Sequence, residues 1–164
     1  QIESRLKKPQ SVLEKLQRKG FDISISSIRE NLFDVAGIRV ICNYIDDVYN
    51  IAELLTSQDD ITLITTKDYI KNPKENGYRS LHLIVSIPIF LAESTENVKA
   101  EVQIRTIAMD MWASLEHELK YKSEDYVSDR LKERLKINAE KLAYIDSEMQ
   151  SIFREIKHNR LSKN

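Results

Sequence analysis

Between residues 98 and 105 the chain alternates strictly. Val98, Ala100, Val102 and Ile104 are apolar, while Lys99, Glu101, Gln103 and Arg105 are polar. A period of two predicts a strand with one covered face. It places a carboxylate, an amide and a guanidinium together on the other face. Residues 80–87 read the same way. Leu81, Leu83, Val85 and Ile87 point one way, Ser80, His82, Ile84 and Ser86 the other, and Pro88 is expected to end the strand. Residues 37–44 and 61–67 supply two more strands. The two polar-faced strands predict a sheet covered on one side and open on the other.

Elsewhere the apolar positions recur at helical spacing. Residues 12–19 carry Val12, Leu13 and Leu16 on one stripe, with Ser11 as the expected cap and Gly20 as the stop. A second short helix starts at Ser26 or Ser27 and ends around Phe33. A third, residues 48–57, takes its N-cap from Asp46-Asp47. A fourth, residues 106–121, lines up Ala108, Met111, Trp112 and Leu115. The longest spans 129–157, where Leu131, Leu135, Asn138, Leu142, Ile145, Met149, Ile152 and Ile156 form a heptad seam with one polar interruption. Such a seam can pack on its own domain or on another subunit. Asn72-Pro73-Lys74-Glu75-Asn76-Gly77 is the clearest loop.

The 164 residues fit one domain, with 41% hydrophobic residues for a core and 31% charged. The composition is that of a soluble α/β or α+β protein with a helical excess. A net charge of −1 gives no global attraction to polyanions, so any such site must come from local clustering. The single cysteine, Cys42, lies in an apolar segment and reads as a small buried hydrophobe. The most apolar run, residues 81–92, is broken by His82, Ser86 and Pro88 and is shorter than the roughly 20 residues a bilayer requires. No membrane association is expected, and with no signal peptide the location reads as cytoplasmic.

Several residues could carry chemistry. Asp34, just before a strand, and Glu101, within one, could hold Mg²⁺, which accepts one or two carboxylates together with phosphate oxygens. Asp34 reads equally as a turn residue, and Glu101 as half of a cross-strand ion pair with Arg105 or Lys99. Tyr78, after the Gly77 turn, could stack on a base or be a half-buried strand residue. His82 could donate to a phosphate or take part in acid–base work. The basic set Arg5, Lys7, Lys8 and Lys15, with Ser11 among them, suits triphosphate oxygens near a helix start, or is a solvated face. Lys67, Lys71 and Lys74 around the loop admit the same two readings. There is no Walker A loop, and His82, His117 and His158 are too far apart in sequence to suggest a metal cluster.

Taken together, Arg5-x-Lys7 with Ser11 and Lys15, Asp34-x-Ala36-Gly37-x-Arg39, Gly77-Tyr78-Arg79-Ser80-Leu81-His82 and Glu101-Val102-Gln103-Ile104-Arg105-Thr106 resemble the motifs of the small alarmone synthetases, the single-domain members of the RelA/SpoT group of GTP pyrophosphokinases. The likeness runs from about Arg5 to Tyr121. It implies an α+β, nucleotidyltransferase-like fold: a mixed sheet flanked by helices, with a catalytic domain over residues 1–125 and a C-terminal oligomerisation helix over 126–164. It implies transfer of the β,γ-pyrophosphate of ATP to the ribose 3′-hydroxyl of GTP or GDP, making the alarmones pppGpp and ppGpp of the stringent response. By the same resemblance, Asp34 and Glu101 hold Mg²⁺, and Glu101 is the base for the 3′-hydroxyl. Arg5 and Arg39 sandwich adenine, and Lys7, Ser11 and Lys15 hold the ATP phosphates. Tyr78 stacks on guanine, while Lys67, Lys74, His82 and Gln103 engage the acceptor and the transferred group. A homotetramer is implied, with the alarmone itself or single-stranded RNA as candidate regulators. The family's helical segment ahead of the Arg5 region is expected to be short or missing here, and degradation of the product is not expected.

Two readings compete with the enzyme. One is a catalytically inactive nucleotide- or RNA-binding regulator on the same fold. The other is a helical assembly protein whose seam is its purpose, which the two polar-faced strands do not suit.

Overall fold

The computed structural model describes residues 1–122 and 127–161. The chain runs β1 (Ile2–Leu6), α1 (Pro9–Lys19), α2 (Ile25–Asn31), β2 (Ala36–Cys42), α3 (Ile45–Thr56), β3 (Thr62–Asp68), β4 (Leu81–Phe90), β5 (Thr95–Thr106), α4 (Ile107–Lys122) and α5 (Asp129–Leu161). The five strands form one sheet in the order β1-β2-β5-β4-β3. The α+β expectation is met.

β1 was not expected from its sequence. All five of its residues are exposed, and it is held by antiparallel pairing with β2, with Ile2 opposite Val40 and Leu6 opposite Ala36. Its signal therefore lies in a partner more than thirty residues away. α1 begins at Pro9, two residues before Ser11, which lies inside the helix and does not cap it. Proline suits the first helical position because its missing N–H is not needed there. Gly20 ends α1 as expected, at φ 71°, and the Phe21 N–H reaches back to the Leu16 carbonyl. Ser24 caps α2 by accepting from the Ser27 N–H. Asp46 and Asp47 stand within the first turn of α3, which begins earlier than expected, and not at its cap.

Pro88 does not end β4, which runs on to Phe90. The Tyr69 N–H bonds the Ser80 carbonyl where β3 meets β4. β4 outlasts β3, with ten residues against seven, and a proline is tolerated in a strand where its missing N–H is not needed by a neighbour. The open-face expectation also fails for β4: Leu81 to Val85 are all buried, so both faces are covered over that stretch. On β5 the alternation holds from Ala100 to Ile104, with Ala100, Val102 and Ile104 buried and Glu101 and Gln103 half-buried, but it fails at Arg105, which is buried.

The chain gathers into two compact units, each discontinuous in sequence. The first comprises Gln1–Val40, Ala52–Lys67 and His82–Gln103, and the second Ile41–Ile51, Asp68–Leu81 and the chain from Ile104 onward. In the first, Val12, Leu16 and Leu32 pack together with Ile28 and Val35. Leu16 is fully buried, and truncation of such a leucine to alanine costs about 2–5 kcal/mol.

In the second unit, Trp112, Ala113 and Ala139 form the core, with Tyr78, Leu135 and Leu142 against it. Here the seam expected on α5 divides. Leu135 and Leu142 pack inward, but Leu131, Ile145, Met149, Ile152 and Ile156 are exposed. The inward face is completed by Ala139, Asp146 and Gln150. Asp146 accepts from the Thr106 hydroxyl, and Gln150 accepts from the Asp46 N–H and donates to the Asp46 carboxylate. Arg154 grips that carboxylate with two nitrogens, and Phe153 stacks on Tyr44 at 4.2 Å. On α4 the buried residues are Met109, Trp112 and Ala113, whereas the expected Met111 and Leu115 are exposed.

Among the described residues no helix is long and apolar enough to cross a membrane.

Candidate active site

Asp34 lies in the connection between α2 and β2. Lys7, between β1 and α1, and Lys15, on α1, both donate to its Oδ2 at 2.6 Å. Its Oδ1 is buried and has no hydrogen-bond partner. Burial works against the charged form of Asp34, but the bonds from Lys15 and Lys7 outweigh it and hold the carboxyl below the usual carboxylate range. One oxygen thus accepts from both lysines, leaving a net positive charge, while the other keeps its capacity to bind.

Glu101 is held differently. Nδ1 of His82, on β4, donates to its Oε1 at 3.0 Å, and Nε2 of Gln103 donates to its Oε2 at 3.0 Å. Glu101 and Gln103 are two apart on one strand and so share a face. The His82 bond is the main reason the Glu101 carboxyl lies below its ordinary value. Burial opposes it, Gln103 and the His82 charge assist, and the nearby charge of Asp34 opposes. The expected ion pairing of Glu101 with Arg105 or Lys99 is not what the structure shows. Arg105 pairs with Asp110.

Two cavities share Asp34 and Glu101. One, of about 230 Å³, is lined also by Arg5, Lys7, Arg39 and Gln103. The other, of about 170 Å³, is lined also by Lys15, Lys19, Asn31, Thr65 and Lys67. The carboxylates therefore have a cationic wall in each cavity. Across the β1–β2 pair Glu3 faces Arg39 and Arg5 faces Gly37, which puts the two arginines diagonally apart. The Glu3 carboxylate lies 3.7 Å from Arg39.

Of the residues singled out by sequence, Arg5, Lys7, Lys15, Asp34, Arg39, Lys67, Glu101 and Gln103 line these cavities, and His82 is bonded to Glu101. Ser11 lines neither. Lys74 and Tyr78 belong to the second unit. There the Lys74 ammonium sits 4.8 Å from the Tyr69 ring centroid and 4.9 Å from that of Tyr78, cation–π distances. Asn76 shapes the turn: its Oδ1 accepts from the Tyr78 N–H, and its amide donates to Glu116. Gly77 holds φ 89°, and a Cβ there would come 2.6 Å from the Ala139 Cβ. Lys71 lies over the Tyr49 ring and beside Asp68. The Tyr49 hydroxyl donates to Asp68, which together with burial pushes its pKa up to about 12.

Sequence reasoning missed Lys19, Asn31 and Thr65 in the second cavity, and Tyr69 and Arg105 around Tyr78. Lys19 follows Lys15 by one helical turn and could have been found by that spacing. The others carry no local signal.

No group of three or more His, Cys, Asp or Glu side chains is placed to bind a metal among the described residues. Two carboxylates in one cavity, one with an unspent buried oxygen, nevertheless fit a hard cation that completes its shell with phosphate and water.

Residues 4–126 match the family described as a region found in RelA/SpoT proteins. The GTP pyrophosphokinase YwaC of Bacillus subtilis is 47% identical over 153 residues, covering 93% of this chain and 73% of that protein. The crystal structure of small alarmone synthetase 2 from Bacillus subtilis matches with a TM-score of 0.87 and 46% identity, over 94% of this chain and 80% of that one. That of small alarmone synthetase 1 from the same organism, bound to its product pppGpp, matches with a TM-score of 0.86 and 37% identity, over 94% and 78%. The chain belongs to the RelA/SpoT family, and its likeness falls among the family's small alarmone synthetases.

Proposed function

We propose that the chain is a GTP pyrophosphokinase that moves the β,γ-pyrophosphate of ATP to the ribose 3′-hydroxyl of GTP or GDP. The observation that carries this reading is the pair Asp34 and Glu101, set where two cation-lined cavities meet. Joining two polyphosphates demands charge neutralisation and alignment above all, and that is what lysines and arginines around fixed carboxylates supply.

Arg5 and Arg39 offer guanidinium planes to adenine. Lys7 and Lys15 turn from Asp34 toward the ATP phosphates, helped by Ser11, which shares α1 with Lys15. Asp34 and Glu101 would hold Mg²⁺, which when bound neutralises charge on the transferred group. His82 and Gln103 fix both oxygens of Glu101, so the carboxylate meets the 3′-hydroxyl in one orientation. Lys67 and Lys74 attract acceptor phosphates, and Tyr78 stacks on guanine. The 3′-oxygen forms a bond to the β-phosphorus, the bond from that phosphorus to the bridging oxygen breaks, and AMP leaves with the electron pair. Glu101 takes the hydroxyl proton. A carboxylate held below its usual range is a weak base, so alignment contributes more than proton transfer does. The exposed apolar positions of α5 favour a homotetramer built through the 126–164 segment, and the enzyme acts in the cytoplasm.

The test is a transfer assay with γ-labelled ATP, GTP or GDP, and Mg²⁺. Labelled guanosine penta- or tetraphosphate is expected, with turnover lower by about 10²–10⁴-fold in Glu101→Gln. Undiminished turnover in that variant overturns the role of Glu101. A folded protein without product, binding RNA with steep salt dependence, is instead a regulator. Light scattering that finds a monomer at micromolar concentration overturns the tetramer.

A further inference from the structure

Arg105 is only 4% exposed, and the reaction described above makes no use of it. Its Nη2 donates to the Tyr78 hydroxyl at 2.6 Å, its Nη1 to Asp110 at 3.1 Å, and its Nε to the Ser80 hydroxyl at 3.3 Å. Ser80 in turn donates to the Ile104 carbonyl. The guanidinium carbon lies 5.1 Å from the Tyr78 ring centroid. Asp110 is in the first turn of α4, whose start is held by Thr106 accepting from the Met109 N–H. The guanidinium thus joins the end of β5, the start of α4 and the residue before β4, and it presents one nitrogen to the tip of one tyrosine.

A tyrosine ring turns easily about its second side-chain torsion, where the wells are broad. The phenolic oxygen lies on the axis of that turn, so a bond to it leaves the turn free but restrains the swing of the whole ring about the first side-chain torsion, because the acceptor must stay near the donor axis. A charge-assisted bond does so most firmly. An arginine anchored at two other points leaves little play in the third.

We propose that Arg105 is a positioning residue for the acceptor nucleotide: through the Tyr78 hydroxyl it holds the tip of the Tyr78 ring, and so the ring, at the place where guanine stacks. The inference rests on the reading of Tyr78 as the guanine platform. It explains why a stacking surface carries a hydroxyl at all, since phenylalanine would stack as well. Fixing the ring before the nucleotide arrives removes an ordering cost from binding, so the effect belongs to acceptor affinity and not to ATP.

The experiment compares Tyr78→Ala, Tyr78→Phe, Arg105→Met and the Tyr78→Phe/Arg105→Met double variant, measuring KM for GTP, KM for ATP, kcat and Tm in each. Tyr78→Phe and Arg105→Met are each expected to raise KM for GTP about tenfold, with KM for ATP and kcat within about threefold. The double variant is expected to be no worse than either single one. If Tyr78→Ala leaves KM for GTP unchanged, the platform reading falls and the inference with it. If Tyr78→Ala raises it but Tyr78→Phe does not, the platform stands and the role of Arg105 is overturned. Equal losses toward both nucleotides overturn it too, as the mark of a general structural defect. Should Arg105→Met fail to fold, Tyr78→Phe decides alone, because that change removes one oxygen and leaves the arginine's other anchors in place.

Discussion

Asp34 and Arg105 are both charged, both enclosed and both bonded to more than one partner, yet they are built to opposite ends. The Asp34 side chain keeps 22% exposure and leaves Oδ1 without a partner. Its two lysines share the other oxygen at 2.6 Å, an arrangement that incoming phosphates can rearrange. The Arg105 side chain keeps 5% exposure and spreads its donors over Tyr78, Ser80 and Asp110. The first cluster holds bonding capacity in reserve. The second commits its donors to holding neighbours in place. An unspent buried polar group is costly, so its persistence at Asp34 marks a place where something binds, while a well-bonded cluster marks a place where something is held still.

The contrast breaks first where the rigid region is tightest. Gly77→Ala would force a Cβ to 2.6 Å from Ala139 at a φ of +89°. Strain and overlap together are expected to cost about 2–4 kcal/mol, read from urea unfolding. Adding Ala139→Gly should recover the overlap part but not the strain. A loss below about 1 kcal/mol would mean that the turn and α5 give way freely. The open region should respond in function instead. Asp34→Asn is expected to raise the Mg²⁺ needed for half-maximal turnover by about 100-fold, with a much smaller effect on Tm, because Asn still offers Lys7 and Lys15 an acceptor oxygen. An unaltered Mg²⁺ requirement would remove Asp34 as a ligand.

The smallest effect sharpens the comparison from the buried side. Burial raises the Asp146 carboxyl above its ordinary 3.8, and the Thr106 bond offsets only part of that. The folded state then holds this proton more tightly than the unfolded state does. The penalty is absent below the unfolded value, grows as pH rises toward the folded one, and is full at neutral pH. Asp146→Asn keeps an acceptor for Thr106 and removes the charge. It should raise Tm by roughly 2–4 °C at pH 7 and by nothing at pH 3. An equal gain at both pH values would mean that charge is not the cause.

How much of this was legible beforehand follows the same division. Period-two alternation over 98–105 put Glu101 and Gln103 on one face, and they meet at 3.0 Å. Helices and strands with strong local patterns fell near their expected bounds. β1 escaped because Ile2-Glu3-Ser4-Arg5-Leu6 has no covered face, and only pairing with Ala36–Val40 makes it a strand. The seam on α5 divides because burial there is decided by distant partners. Asp146 and Gln150 go inward to Thr106 and Asp46, while Ile145 and Met149 stay out. Periodicity reports apolar burial and says nothing of a polar side chain that finds a partner a hundred residues away. Arg105 was hidden for the same reason: alternation placed it beside Gln103, but its partners Tyr78 and Ser80 lie on another part of the chain.

The clasp of Gln150 and Arg154 on Asp46 sets an order in time. Its members stand 104 and 108 residues apart, so at about 5–20 residues per second a nascent chain carries Asp46 for roughly 5–20 s before its grip can close. Through that interval the start of α3 emerges without its partners. The second unit can be completed only after Gln150 and Arg154 have been made, whereas Val12, Leu16 and Leu32 are made earlier and can meet first. The two units are finished by the ribosome at different moments.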